Sequence, residues 1–367
     1  MNLKSVTGLT SHHLQNKILG IATACLLITA AGASALSNAE KAIQTQLTNL
    51  YGPNVLLVAT GTSQATQLQV DVATKAAITN PPSNVNTPSL VSAGVKYAPV
   101  YSADLAQAGL ARIQSDFTNN LFTLSTLQSY TASIVNSSIK AALAGSNKAS
   151  TSGGVSNVGT NNDSNGAAAV TSVAVNSIIA NSGSSAFINP AKPTNTLLYI
   201  VVSNAVKTAA KYGGTAVNNP FNGAGGAVTG GISQVAGSSN ANIAAVSTNN
   251  ANVIAVIRAA TKAASSQFSE IALAVGYAFA STYRATTADV SEITALAFQA
   301  ANVAGLQTAM TSAGVNFNTS KKVIIGNQIS AGIAMAYAGI TGPGAAGVNN
   351  FAYNNGTGTP VTDVQGL

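Results

Sequence analysis

Residues 102–143 read SADLAQAGLARIQSDFTNNLFTLSTLQSYTASIVNSSIKAAL. Ala106, Leu110, Ile113, Phe117, Leu121, Leu124 and Leu127 recur at steps of three and four. That spacing lays an apolar stripe along one helical face, so the stretch predicts one long helix or two helices in line. Ser102 is the expected N-cap. Gly109 weakens the helix interior slightly, and the pattern continues through Ile134 and Ile139 to about Leu143.

Upstream, Ala39, Ile43, Leu47 and Leu50 predict a helix over 38–51, ended by Tyr51-Gly52-Pro53. Val55-Leu56-Leu57-Val58 and the alternating Leu68-Gln69-Val70-Asp71-Val72 suggest a minor β hairpin within 54–75. Pro81, Pro82, Pro88 and Pro99 mark 80–100 as an extended connector.

Downstream, 145–166 has almost no bulky apolar side chains and reads as a flexible linker, the best domain boundary in the chain. Beyond it, Ala-rich helices are expected over 168–180, 194–212, 251–264, 267–284, 289–304 and 322–340. A glycine-rich break at 213–250 interrupts them, and an irregular tail follows from 341 to 367. Ser269-Glu270-Ile271 recurs as Ser291-Glu292-Ile293, 22 residues on. Asp289 with Glu292 forms a capping-box pattern. Two copies fall short of a repeat array. The expected organisation is an N-terminal helical domain over 36–144 and a C-terminal Ala-rich helical domain over 167–340. The fold class is mainly α: an Ala-rich helical bundle or an irregular helical repeat, with glycine-rich loops.

The N-terminus carries Lys4, His12, His13 and Lys17, then an apolar run from Ile18 to Ala31, then Ala33-Ser34-Ala35. A basic region, a short apolar core and an A-x-A site predict a secretory signal peptide over 1–35. Cys25 lies inside the apolar run, so the mature part would hold neither cysteine nor histidine. Charged residues make up 7% of the chain, against about 25% in ordinary domains. Removing Lys4 and Lys17 leaves 14 basic and 9 acidic residues, a net charge of +5. The bases are scattered, so nothing traces a phosphate backbone and no nucleic-acid partner is expected.

Chemistry is correspondingly scarce. A mature chain without histidine has no Ser-His-Asp triad, and without cysteine or clustered carboxylates it has no metal site. Ser137-Ser138-Ile139-Lys140 fits S-x-x-K, but its S-D-N and K-T-G partners are missing. Gly223-Ala224-Gly225-Gly226 with Gly230 loosely resembles a phosphate loop without its G-K-[ST]. Arg258 and Lys262 sit opposite Val253, Val256, Ile257 and Ala260, as the wet face of an amphipathic helix. Gly332, Ala336 and Ile340 share one face, a spacing suited to close helix packing in a core or, alternatively, in an oligomer interface.

No catalytic residue, cofactor or metal is therefore expected, and no conventional transmembrane segment. The leading expectation is a secreted, non-enzymatic structural protein of the cell surface or extracellular space. It would self-assemble as a homo-oligomer or polymer into a surface layer, sheath or filament. The alternative is a secreted adhesin or binding module with a cell-surface ligand, in the form of a helical solenoid; a membrane-active protein ranks below both.

Overall fold

The computed structural model describes residues 36–58, 64–149, 166–181, 187, 196–213, 223–237, 251–283, 323–329, 331–332 and 335. The expected signal peptide, the 289–304 helix with Asp289 and Glu292, and the tail from 341 lie outside the described residues.

Helices account for 83% of the described residues, so the fold is mainly α. In chain order they are α1 (Asn38–Tyr51), α2 (Gln67–Thr79), α3 (Thr87–Tyr97), α4 (Ser102–Thr118) and α5 (Leu124–Ala149). Then come α6 (Ala167–Ile179), α7 (Leu197–Tyr212), α8 (Gly223–Gly237), α9 (Ala251–Ala263) and α10 (Phe268–Tyr283). A further helical stretch occupies 323–329.

Each helix packs chiefly on its next and next-but-one neighbours. The odd-numbered helices α1, α3, α5, α7 and α9 thus lie side by side in one layer. The even-numbered α2, α4, α6, α8 and α10 form the other. This is the packing logic of a helical repeat, in which each unit buries its apolar face against its neighbours. Polar bridges reinforce both layers. In the even layer, Gln114 Nε2 donates to Ser177 Oγ (3.1 Å) and Gln234 Nε2 to Ser172 Oγ (2.7 Å). In the odd layer, Asn136 Nδ2 donates to Asn204 Oδ1 (3.3 Å). One apolar core runs continuously across the expected linker region, from Ala39 to Ile329. Of that region, the chain stays helical to Ala149 and Gly166 caps α6; residues 150–165 lie outside the described residues.

Five expectations are corrected. The segment expected to alternate as a strand is helix α2. Thr66 and Gln69 form a capping box, with Thr66 Oγ1 accepting from Gln69 N (3.2 Å) and Gln69 Oε1 from Thr66 N (2.9 Å). Among the described residues the only β feature within 54–75 is an isolated bridge between Leu56 and Gln64. The proline-rich connector contains α3. Pro88 sits in its first turn, where no intrahelical N–H is needed, and Asn86 Oδ1 caps it by accepting from Ser89 N (2.9 Å).

The long stripe is cut in two rather than continued in line. Asn120 adopts φ 59°, Leu121 N donates to Asp116 O and Asn120 N to Phe117 O, both at 2.9 Å. That is a Schellman stop. It leaves Leu121 67% exposed and folds α5 back against α4. Ser102 is not the N-cap: a 3₁₀ turn, Pro99–Tyr101, leads directly into α4, and the Ser102 hydroxyl donates to Pro99 O (2.7 Å).

The fifth correction is the largest. The glycine-rich break contains α8, whose residues 223–232 are all buried and which packs against α6, α7, α9 and α10. Glycine has low helix propensity, but here it lets backbones meet. A Cβ on Gly230 would overlap the Ala168 carbonyl of α6 and approach Ser172 N to 3.0 Å. The same device recurs between α10 and the 323–335 segment. A Cβ on Gly276 would strike the Ile329 carbonyl, and one on Gly332 the Leu273 carbonyl. Gly332 therefore makes a core contact within the chain; Ala336 and Ile340 lie outside the described residues.

Candidate functional site

The odd layer carries a groove of about 620 Å³ where α1, α3 and α5 lie side by side. Its walls follow from helical spacing. On α3, Ser89, Ser92 and Lys96 recur at steps of three and four, and Asn86 caps the same end. On α5, Ser129 and Ser133 are one turn apart, with Tyr130 beside them. Tyr130 is held edge-on by Phe122, with ring centroids 5.3 Å apart and planes at 76°. The start of α1 closes the groove with Ser37 and Glu40.

Glu40 organises this end of the molecule. It completes a capping box in which Ser37 Oγ accepts from Glu40 N (3.2 Å) and Glu40 Oε2 accepts from Ser37 N (2.8 Å). Its other oxygen accepts from Lys96 Nζ and from Tyr97 OH, both at 2.8 Å, which ties α1 to α3. Burial alone would push the carboxyl up, but the bonds from Lys96, Ser37 and Tyr97 outweigh it and hold the group at about 2. The Glu40 bond raises Lys96 above its ordinary range, and burial followed by the same bond raises Tyr97. Each group is driven further into its resting charge state. None is poised to exchange protons near neutrality, as a general acid or base would be.

The residues singled out by sequence do not assemble into a site. The Ser137 hydroxyl donates to Ile134 O (3.1 Å), while Lys140 is exposed with its ammonium 5.3 Å from the Tyr212 ring centroid. Serine and lysine are not paired. Arg258 and Lys262 are exposed above buried Val253, Val256, Ile257 and Ala260, as the spacing predicts. At the N-terminus of α8, where the phosphate-loop resemblance falls, one N–H is already satisfied from within. Glu270 Oε1 accepts from Gly225 N (2.9 Å) and crowds Gly223. Burial pushes the Glu270 carboxyl up, and the Gly225 bond partly offsets this. Among the described residues, no three Cys, His, Asp or Glu side chains gather where a metal ion would fit. No described helix is long and apolar enough to cross a membrane.

Sequence reasoning missed the Glu40 cluster. Half of it has a local signal, the S-x-x-E spacing of Ser37 and Glu40. The other half, Lys96 and Tyr97, lies 56 and 57 residues away and has none.

Asp71 is the contrasting carboxylate. It is buried, Oδ2 accepts from Lys75 Nζ (2.9 Å), and Oδ1 has no hydrogen-bond partner. Burial raises its pKa, and Lys75 only partly offsets the rise. A raised folded pKa stabilises below the unfolded value and loses that contribution as pH rises through the folded one. Asp71→Asn is therefore expected to match or exceed the wild type at pH 7, by up to about 1 kcal/mol, and to lose that advantage at pH 3. Urea midpoints at the two pH values check this.

Comparison with protein-family models, with curated proteins and with solved structures finds no match to this chain.

Proposed function

We propose that this is a secreted, non-enzymatic structural protein that self-assembles at the cell surface or in the extracellular space, as a layer, sheath or filament subunit. The supporting observation is how the carboxylates are used. Glu40 is bonded to Lys96, Asp71 to Lys75, Asp116 to Arg112 and Glu270 to the α8 backbone, and Asp104 lies 3.7 Å from Lys75. Each of these acids thus faces a cation or a backbone N–H within the chain. A surface of hydroxyls, amides and few charges lacks much of the self-repulsion that keeps proteins monomeric. Apolar side chains such as Leu50, Leu68, Val72 and Leu121 stand exposed on it.

A second reading, a secreted binding module, is favoured by the groove across α1, α3 and α5. Helical repeats bind partners on surfaces shared by successive repeats.

Negative-stain electron microscopy of residues 36–367 at pH 7 and pH 3 tests the first reading. Ordered filaments, sheets or rings are expected. Uniform monomeric particles at both pH values would overturn it in favour of the second.

A further inference from the structure

We infer that the groove between α1, α3 and α5 binds a neutral polyhydroxylated ligand, the pyranose units of an oligosaccharide. The inference deepens the binding-module reading and rests on it.

The first argument is chemical. Two facing rows of hydroxyls, Ser89 and Ser92 on α3 and Ser129 and Ser133 on α5, are exposed to the groove. Serine hydroxyls both donate and accept, as sugar hydroxyls do, so either partner can adopt either role. The rows stand on packed helices, which fixes their spacing at about 5 Å per turn, close to the length of one pyranose ring. Tyr130, fixed edge-on by Phe122, adds one rigid ring for a sugar C–H face.

The second argument is electrostatic. The charged groups in the groove wall are Lys96 and Glu40, and they neutralise each other at 2.8 Å. An anionic or cationic ligand would find no unmatched counter-charge. A peptide anchored by apolar side chains would find the single Tyr130 ring and, beside it, only Pro88 and Ala93, both already buried. The volume of about 620 Å³ falls within the range of small-molecule sites, about 300–1,000 Å³. Glycoside hydrolysis needs two carboxyl groups flanking the bond, and this wall offers one, already triply bonded. The groove is built for binding rather than cleavage.

The test is ligand-observed saturation-transfer NMR and calorimetry on residues 36–367. The probes are neutral trisaccharides of glucose, mannose and N-acetylglucosamine. At least one is expected to bind in the millimolar range. S92A/S133A, which removes one hydroxyl from each row at exposed positions, should weaken it about tenfold with an unchanged circular-dichroism spectrum. Ser115→Ala, exposed on α4 away from the groove, should bind as wild type. Equal binding by S92A/S133A would overturn the groove as the site. Tighter binding of a glucuronate trisaccharide, lost in S92A/S133A and weakened by salt, would overturn the neutral ligand but leave the binding module standing. No binding by any probe would overturn the oligosaccharide ligand, while the binding-module reading is decided separately by the particles seen in electron microscopy.

Discussion

Replacing Gly230 by alanine is expected to destabilise the fold by about 3 kcal/mol, within the range for overpacked cores and against the usual helix trend. In a helix interior Gly→Ala normally stabilises by about 1 kcal/mol, because alanine restricts the unfolded chain and has the better propensity. At Gly230 the added methyl would overlap the Ala168 carbonyl and press on Ser172 N at 3.0 Å. Both are backbone atoms held in α6, so no side chain can rotate away, and α6 and α8 must separate. Gly109→Ala is the internal control. Its methyl meets side chains rather than backbone, Val91 Cγ2 at 2.5 Å and Ile134 Cδ1 at 3.3 Å, so a smaller loss, about 1–2 kcal/mol, is expected. The layered packing adds a spatial expectation. Stability in a helical repeat is a sum of local interfaces, and α1 to α3 do not adjoin α8. Native-state hydrogen exchange should therefore show Gly230→Ala losing protection over α6 to α10 while α1 to α3 keep theirs. A uniform loss along the chain would refute the local picture; unchanged stability would refute the close contact itself.

How far the sequence discloses this architecture depends on which physical signal each element uses. Helices α1, α6, α7, α9 and α10 announce themselves by apolar periodicity, and their ends fall within a few residues of the expected positions. Helix α8 does not, because its glycines are there for a neighbour's backbone, and no local pattern says that α6 will approach so closely. Helix α3 was hidden by the habit of reading proline as a breaker, although Asn86 followed by Thr87-Pro88 is a sound helix start. The break at Asn120 was legible in principle. Asn tolerates the left-handed conformation, and Asn119-Asn120 interrupts an otherwise apolar stripe. The groove was not legible at all. Its serines are common residues in a serine-rich chain, and only the odd layer brings Ser89 and Ser133 to one cleft. Its order rests on the Glu40 cluster, whose worth can be measured directly.

Glu40→Gln is expected to cost about 2 kcal/mol at pH 7 and to remove a pH dependence that the wild type shows. Glu40 is nine-tenths buried as a side chain and accepts from Ser37 N, Lys96 and Tyr97 at 2.8 Å each. Glutamine keeps the shape and one acceptor oxygen but presents an amide N–H₂ to the rest, so donors face donors. The folded pKa of about 2, against 4.5 for the free side chain, is a stability statement worth about 3 kcal/mol at most. Its sign follows from the depression: the contribution is complete above 4.5 and is lost as pH falls towards 2. Urea midpoints of the wild type should thus decline over that window relative to Glu40→Gln, and the two curves should converge near pH 2. Asp71 and Glu270, both raised by burial, act in the opposite direction as they protonate. The wild-type decline should therefore be shallower than Glu40 alone would give, and deeper in Asp71→Asn, where one compensating carboxylate is gone. If the wild type and Glu40→Gln run parallel from pH 7 to pH 2, Glu40 binds its proton alike in the folded and unfolded chain, and its folded pKa is not depressed. The α1–α3 junction would then owe its geometry to apolar packing around Ile43 and Leu90 rather than to the ion pair.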